Sequence, residues 1–279
     1  MFRSIVCLTI FLVLIGWALS AQAQELASSG AAATAQAVAN PDAPASCPHL
    51  FTAGSSTSNT FLQYCVTDVG AISSIQTPFG QSLIGANGEG YGLCQESPAV
   101  EYHDYIFDWS NNWDFPQTLS LSSSSIKISR TTSDGNWTLV QTISKVAATG
   151  SIKIVMALTN NQSVDKVAYL VRFADVDAEG NNTSAGGASL DSAWSWQTAF
   201  PNKAHYGLQL RNAGSSPFAY RQGFIRGAPW GPNACDFAAN RINYGVIGNS
   251  RTKTSIAYAY AGAVPAHKTV TVTLNYRAT

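Results

Sequence analysis

The stretch SIKIVMALTNNQSVDKVAYLVRFADVD, residues 151–177, contains the clearest strand pattern in the chain. From Ile152 to Leu158 every second residue is large and apolar, and the same alternation returns from Val167 to Phe173. A period of two in β-branched and aromatic residues is typical of β-strands. The connecting residues are turn formers, namely Asn160, Asn161, Gln162, Ser163 and Asp165. We therefore predict two neighbouring antiparallel strands here.

Other segments extend this pattern along the chain. At the carboxyl end, Val270, Val272, Leu274 and Tyr276 alternate with threonines and Asn275, as in a strand that packs on one side only. Weaker strands are predicted at 62–68, 72–77, 100–109, 126–130, 137–144, 205–210, 242–247 and 255–260, and a short helical turn at 190–196. Many short strands without intervening helices indicate two packed sheets or a barrel. We predict an all-β fold, a large antiparallel two-sheet β-sandwich with little or no helix outside the signal peptide.

The amino-terminal region is predicted to direct export. Residues 1–23 contain Arg3, an apolar run and a final Ala-Gln-Ala, the pattern of a secretory signal peptide. The alternative is a membrane anchor, but the run is shorter than the roughly 20 residues that span a bilayer. Residues 24–46 form a flexible leader rich in Ala, Ser and Pro, and 47–279 a single β-sandwich domain. The predicted location is secreted or periplasmic, with no membrane association after signal cleavage.

Four cysteines remain after removal of the signal peptide. They are Cys47, Cys65, Cys94 and Cys235. An even number in an oxidising compartment predicts two disulfides, with three connectivities open. The alternative, a zinc site, has no CxxC pair to support it.

Charge restricts the class of partner. The chain has 16 basic and 16 acidic residues, and charged residues make up 11% of it, against about 25% in an average protein. Such a neutral chain lacks the electrostatic footprint that nucleic acids or anionic membranes require. We expect a neutral polysaccharide or a cell-surface glycan as partner, and no nucleic acid.

The order of the predicted strands resembles a known family. SSIKISRTTSDGNWTLVQTI, SIKIVMALTNN and VAYLVRFADVD follow one another between residues 118 and 177, and KTVTVTLNYR closes the chain. This order is similar to that of galactose-mutarotase-like domains and of secreted β-sandwich proteins. The resemblance implies a large antiparallel sandwich. Sugar-converting members use a histidine and a carboxylate in an open cleft, but their active-site motifs find no match here, so no catalytic residue is carried over.

A polar loop is the predicted cation site. Asp175, Asp177 and Glu179 alternate before Gly180, and such carboxylates can turn several oxygens toward one hard cation such as calcium. The position where an EF-hand loop has its bidentate Glu is Gly186, so an EF-hand is rejected. The competing interpretation is an ordinary turn selected for backbone reasons.

Tryptophans beside amides suggest a sugar-binding surface. Indole faces stack on the apolar faces of sugar rings, and neighbouring amides bond the hydroxyls. The predicted ligand-binding residues are Trp109, Trp113, Trp194, Trp196, Asn111 and Asn112. Trp194 and Trp196 would share one face of an extended segment. The competing interpretation is core packing, which is usual for tryptophan in sandwiches.

Histidines are the weaker candidates for chemistry. His103 would share a strand face with Glu101, and His205 precedes Tyr206. Either histidine could act in acid–base catalysis if a carboxylate lay across a cleft. The competing interpretation is a satisfied structural histidine.

Three hypotheses follow. The first is a secreted binding module for carbohydrate or a cell-surface partner. The second is a carbohydrate-active enzyme of the mutarotase-like or lyase type, using His103 or His205 with a carboxylate. The third is a structural or assembly protein without a small-molecule site.

Overall fold

The computed structural model describes residues 47–105, 108–178, 181–182, 185–197, 206–227, 231, 233–240 and 254–278. The predicted signal peptide and leader, Glu179, His205 and the strand predicted at 242–247 lie outside these residues. Within them, no helix has both the length and the apolar character needed to cross a membrane.

The described chain consists almost entirely of strands. They are β1 (His49–Ala53), β2 (Leu62–Val66), β3 (Ile72–Gln76), β4 (Ile84–Gln95), β5 (Val100–Tyr105), β6 (Asp108–Asn111), β7 (Gln117–Leu121), β8 (Ser125–Thr131), β9 (Trp137–Val146), β10 (Ser151–Asn160), β11 (Lys166–Ala178), β12 (Asn181–Asn182), β13 (Ala185–Ala188), β14 (Ser192–Trp196), β15 (Gly207–Asn212), β16 (Tyr220–Gly227), β17 (Thr254–Val264) and β18 (Thr269–Ala278). A 3-10 turn (Ala147–Thr149) and one helix, α1 (Ala234–Asn240), complete the elements.

Two large antiparallel sheets form the sandwich. One has eight strands in the order β13-β14-β15-β18-β10-β9-β8-β7. The other has the order β16-β17-β11-β4-β5-β6, with β12 paired to β11. A third sheet, β1-β2-β3, packs its apolar residues into the same core. The predicted all-β sandwich is confirmed.

The alternation in each strand decides which side chains enter the core. In β10 the apolar residues Ile154, Met156 and Leu158 are fully buried, while Lys153 faces solvent. Their cross-strand partners in β18 are also buried. Asp134 and Gly135 lie in the turn between β8 and β9, where Gly135 has a φ of 73°.

The predicted pairing of the two strands in residues 151–177 is wrong. β10 pairs with β9 and β18, whereas β11 pairs with β4 and β17 in the opposite sheet. The turn-forming residues between them therefore cross from one layer to the other. Alternation shows that a segment is a strand, but it carries no information about which strand lies beside it.

β11 is buried on both faces. Its inner residues Leu170, Arg172 and Ala174 lie between the sheets, and the alternating set that includes Tyr169 and Phe173 points outward. Helix α1 covers this outer face, where Phe237 packs on Phe224 with ring centroids 4.9 Å apart. The outer face is therefore a second, smaller apolar cluster.

Two segments differ from their predicted conformation. Residues 190–196 contain β14 instead of a helical turn, because Ala193 and Ser195 are buried on one face of an extended segment. The glycine-rich residues before Cys94, where the sequence predicted no strand, form β4. At Gly90 an added Cβ would overlap the main chain of Asp104 and Tyr105 in β5, so glycine permits this close approach.

Both predicted disulfides are present. Cys47 is bonded to Cys65, which fixes the segment before β1 to β2, and Cys94 is bonded to Cys235, which fixes α1 to β4. This pairing selects one of the three connectivities that the sequence left open.

A buried ion pair in one large sheet, Arg172–Glu89, is hydrogen-bonded to side chains of the other sheet. Arg172 bonds both carboxylate oxygens of Glu89 and donates to Gln141 Oε1 at 2.5 Å. Tyr276 donates to Glu89 Oε1 at 3.0 Å. Burial raises the pKa of Glu89 to about 7, because the loss of water disfavours the carboxylate more than these bonds restore it.

Candidate functional site

Trp194 and Trp196 lie on the outer face of the eight-stranded sheet. Their neighbours Ala193 and Ser195 are buried toward the core, so both indoles point away from it and are half-buried. The two indoles thus share one face of β14, as their spacing predicted.

Glycines border both tryptophans. Gly187 is the cross-strand neighbour of Trp194 in β13, and Gly207 that of Trp196 in β15. The six-membered ring of Trp194 lies against Gly187, where an added Cβ would overlap it. One side of this indole therefore rests on the β13 backbone. A flat aromatic ring supported in this way is a platform on which a sugar ring can stack.

Polar side chains continue the same face. Gln209 is directly opposite Trp194 on β15, and its Nε2 donates to Ser192 Oγ at 3.3 Å. We call Trp194, Trp196 and Gln209 the tryptophan face. Apolar rings beside an amide are the combination that sugar recognition requires.

Three cations lie next to the tryptophan face. Arg211 follows Gln209 on β15, Arg277 is opposite Gln209 on β18, and Lys153 is two strands away from Arg211 on β10. All three are exposed. The sequence analysis missed them, and it missed Gln209, because cross-strand register between distant segments is not visible in local spacing.

Of the second group of predicted sugar-binding residues, Trp113 is a core residue. Trp113 is 6% exposed and packs edge-on against Tyr91 and Tyr102, with Arg130 over its ring at 5.7 Å. An indole buried in this way offers no face to a ligand. Asn112 Nδ2 donates to the Glu101 carbonyl at 2.8 Å. The side chains of Trp109 and Asn111 lie outside the described part of the structure.

Glu101 and His103 are neighbours on the outer face of β5. Glu101 Oε1 lies 3.7 Å from His103 Nδ1, which is within the reach that an acid–base pair requires. However, the Glu101 carboxylate accepts hydrogen bonds from the backbone N–H groups of Ala234 and Cys235, at 2.8 and 2.5 Å. His103 is only 7% exposed. In the described structure Glu101 therefore supports the start of α1, and His103 is buried beside it.

Asp175 and Asp177 converge over one glycine. Their Oδ2 atoms would lie 2.7 and 2.5 Å from a Cβ placed on Gly85. Asp175 Oδ1 also accepts a hydrogen bond from Ser255 at 3.2 Å. Two carboxylate oxygens thus lie close together against the backbone of Gly85, and convergent carboxylate oxygens are the ligands that calcium prefers. The third predicted ligand, Glu179, lies outside the described residues.

A third group of potential ligand atoms is already engaged. Cys94, Cys235 and Glu101 place their sulfur and carboxylate atoms within 4.8 Å of one another. Because the two cysteines are joined as a disulfide, they have no thiolate to offer a metal.

Comparison with known proteins gives information on the fold. No family model matches the chain, and no curated protein matches its sequence. It is similar in structure to a bacterial glucoamylase solved in complex with acarbose, with a TM-score of 0.54 and 8% identity over 82% of this chain. The matched region is 31% of the glucoamylase, so the chain spans about a third of that protein.

Two further structures match with lower scores. A putative aldose 1-epimerase from Escherichia coli K12 gives a TM-score of 0.45 and 11% identity, over 83% of this chain and 99% of that one. A polysaccharide lyase gives a TM-score of 0.45 and 11% identity, over 78% of this chain and 32% of the lyase. Galactose mutarotase-like proteins are also among the matches, with TM-scores of 0.44 and 0.43. At such identities the similarity concerns the fold alone.

Proposed function

We propose that this protein is an exported β-sandwich that binds a polysaccharide or cell-surface glycan through the tryptophan face. The observation that carries the proposal is the pair of half-buried indoles on one side of β14, with glycine beside each. Gly187 is the surface on which the Trp194 ring rests, and Gln209 supplies a hydrogen-bonding group opposite Trp194. The fold, which a glucoamylase domain shares, is compatible with a carbohydrate ligand.

Export is part of this proposal. Two disulfides join all four cysteines of the domain, and such bonds form and persist in oxidising compartments. The predicted signal peptide gives the route. Carbohydrates of cell surfaces and matrices are the ligands that an exported protein meets there.

A glycan array followed by titration calorimetry tests the binding role. The purified, oxidised protein is compared with Trp194→Ala and Trp196→Ala, in the presence and absence of calcium. Loss of one stacking indole is expected to weaken binding by about tenfold, from the 1–2 kcal/mol that aromatic contacts contribute. Phe115→Ala is the matched control, because Phe115 is 84% exposed and lies before β7, away from the tryptophan face. Absence of binding to every glycan, or equal binding by the tryptophan variants, would reject the proposal.

A second candidate function is a carbohydrate-active enzyme that uses His103 and Glu101. The 3.7 Å separation of these two side chains favours it. Activity would require α1 to move away, because Glu101 now bonds the start of that helix. Turnover of a glycan that His103→Gln abolishes without loss of fold would establish this function. Equal turnover by the variant, or no turnover of any bound glycan, would remove it.

A further inference from the structure

Cations border the tryptophan face on the outer side of the eight-stranded sheet. Arg211 and Arg277 are diagonal neighbours, since Gln209 is opposite Arg277 and Arg211 is opposite Asn275. Lys153 is opposite Asn275 on the other side, so it is also diagonal to Arg277. Diagonal neighbours across antiparallel strands lie about 7–8 Å apart. The three cations, which we call the cationic triangle, therefore surround Asn275 on three adjacent strands.

The cationic triangle is not neutralised by the described protein. The nearby Arg221 pairs with Asp191 at 3.2 Å. By contrast, no carboxylate lies within ion-pair distance of Arg211, Arg277 or Lys153 among the residues that the structure describes. Like charges on neighbouring strands repel one another. An anion bound between them would remove this repulsion, so the arrangement is complementary to negative charge.

The position of the triangle defines the ligand further. Trp194 is opposite Gln209, and Gln209 is opposite Arg277, so the indole and the guanidinium lie two strands apart on one continuous face. A chain of sugars that stacks on the indoles would therefore pass over the cations. Planar guanidinium groups bind carboxylates through two parallel hydrogen bonds.

We propose that the tryptophan face and the cationic triangle together select an acidic polysaccharide whose sugars carry carboxylates. This inference rests on the proposed function and refines it, since the overall charge balance had suggested a neutral glycan. The whole-chain balance averages over all faces, whereas this face is locally positive. Single-stranded nucleic acid also stacks on aromatic rings, but proteins that bind it use many more cations than three.

The test compares two forms of one polymer. Polygalacturonate and its methyl ester share a backbone and differ in charge, and calorimetry measures the affinity of the purified protein for each. We expect the acid to bind at least about tenfold tighter, because charge-assisted hydrogen bonds each contribute on the order of a tenfold factor. This preference should decrease as salt is raised. Dextran sulfate and poly(dT) serve as sulfate and nucleic-acid probes.

Variants test the preference for carboxylates separately from glycan binding itself. The triple variant K153Q/R211Q/R277Q, which removes all three cations, should bind both polymer forms with the same affinity, at the level of the ester on the unaltered protein. Lys127→Gln is the matched control, because Lys127 is an exposed cation on β8 of the same sheet, and it should keep the preference. Trp194→Ala should weaken binding of both forms.

Each other outcome has a defined meaning. Equal affinity of the unaltered protein for acid and ester would overturn the inference while the proposed function stands. Tighter binding of dextran sulfate or poly(dT) than of polygalacturonate would overturn it in favour of a sulfated or nucleic-acid partner. No binding of either polymer form, together with a silent glycan array, would overturn the proposed function itself.

Discussion

The indole of Trp194 rests on Gly187, and a methyl group at that glycine would occupy the space of the ring. The contact joins β13 and β14 at one end of the eight-stranded sheet. It makes the orientation of the indole depend on a residue that has no side chain of its own.

Gly187→Ala should therefore displace the Trp194 ring without preventing folding. The backbone of Gly187 does not require a positive φ, so alanine is tolerated there and the far end of the indole must shift. We expect glycan affinity to decrease by about tenfold, as for loss of one aromatic contact, with a change in stability of about 1 kcal/mol or less. Calorimetry and thermal unfolding measure the two effects. Unchanged affinity would mean that the position of this ring is irrelevant to binding.

Removal of the Glu101 carboxylate should loosen α1. This side chain accepts two hydrogen bonds from the first N–H groups of the helix, which have no partner inside a helix. Glu101→Ala is expected to lower the free energy of unfolding by about 1 kcal/mol, the usual cost of losing a helix cap. It should also speed hydrogen exchange in residues 234–240. Glu96→Ala, at an exposed carboxylate near the end of β4, is the control. Unchanged exchange in both variants would show that the disulfide and the apolar contacts of α1 hold the helix without these hydrogen bonds.

Stability should decrease as pH rises from about 4.5 to 7. Burial raises the pKa of Glu89 from 4.5 to about 7, so the folded protein retains this proton more strongly than the unfolded chain. The resulting stabilisation is complete below the ordinary pKa and is lost as pH passes through the raised value. A change on the order of 3 kcal/mol is expected across this window.

Glu89→Gln should abolish this part of the pH dependence. Above about pH 7, where Glu89 is ionised, the variant is also expected to be less stable by about 3–5 kcal/mol, because Arg172 loses its buried charged partner. Denaturant unfolding at several pH values measures both effects, with Glu96→Gln as the control. If stability still decreases with rising pH in Glu89→Gln, a different titratable group causes the decrease.

Calcium is predicted to bind between Asp175 and Asp177. An ion that binds only the folded state raises the unfolding temperature, here by a few degrees in the presence of excess calcium. Asp177→Asn should remove this rise, since it takes one charged oxygen from the space beside Gly85. Asp165→Asn, in the turn between β10 and β11, is the control. Identical unfolding temperatures in calcium and in chelator would show that the two aspartates do not bind calcium.

The sequence predicted the fold class because alternation is a local property. β10, β11 and β18 have a visible period of two, and the sandwich followed from the number of such segments. The assignment of β10 and β11 to different sheets could not follow, because it depends on contacts between distant residues. The sequence did not predict β4, and the reason is different. Its glycines lower strand propensity, and their role becomes clear only where β5 approaches them.

The candidate site was predictable to the same extent. Trp194 and Trp196 share a face because they are two residues apart in a strand, which spacing alone reveals. Gly187, Gln209 and Arg277 join them through pairing between β13, β14, β15 and β18. Cross-strand register of this kind is set by the packing of the whole sheet, so the polar and cationic parts of the face appear only in three dimensions.

The paired cysteines of the two disulfides become available at different times during synthesis. Cys47 and Cys65 are 18 residues apart, whereas Cys94 must wait for Cys235, 141 residues later. A chain that emerges from its amino terminus offers Cys47, Cys65 and Cys94 together before the last cysteine appears. During that interval Cys94 has only wrong partners, so correct maturation depends on a thiol that stays reduced, or on an isomerase that reshuffles an early mispairing.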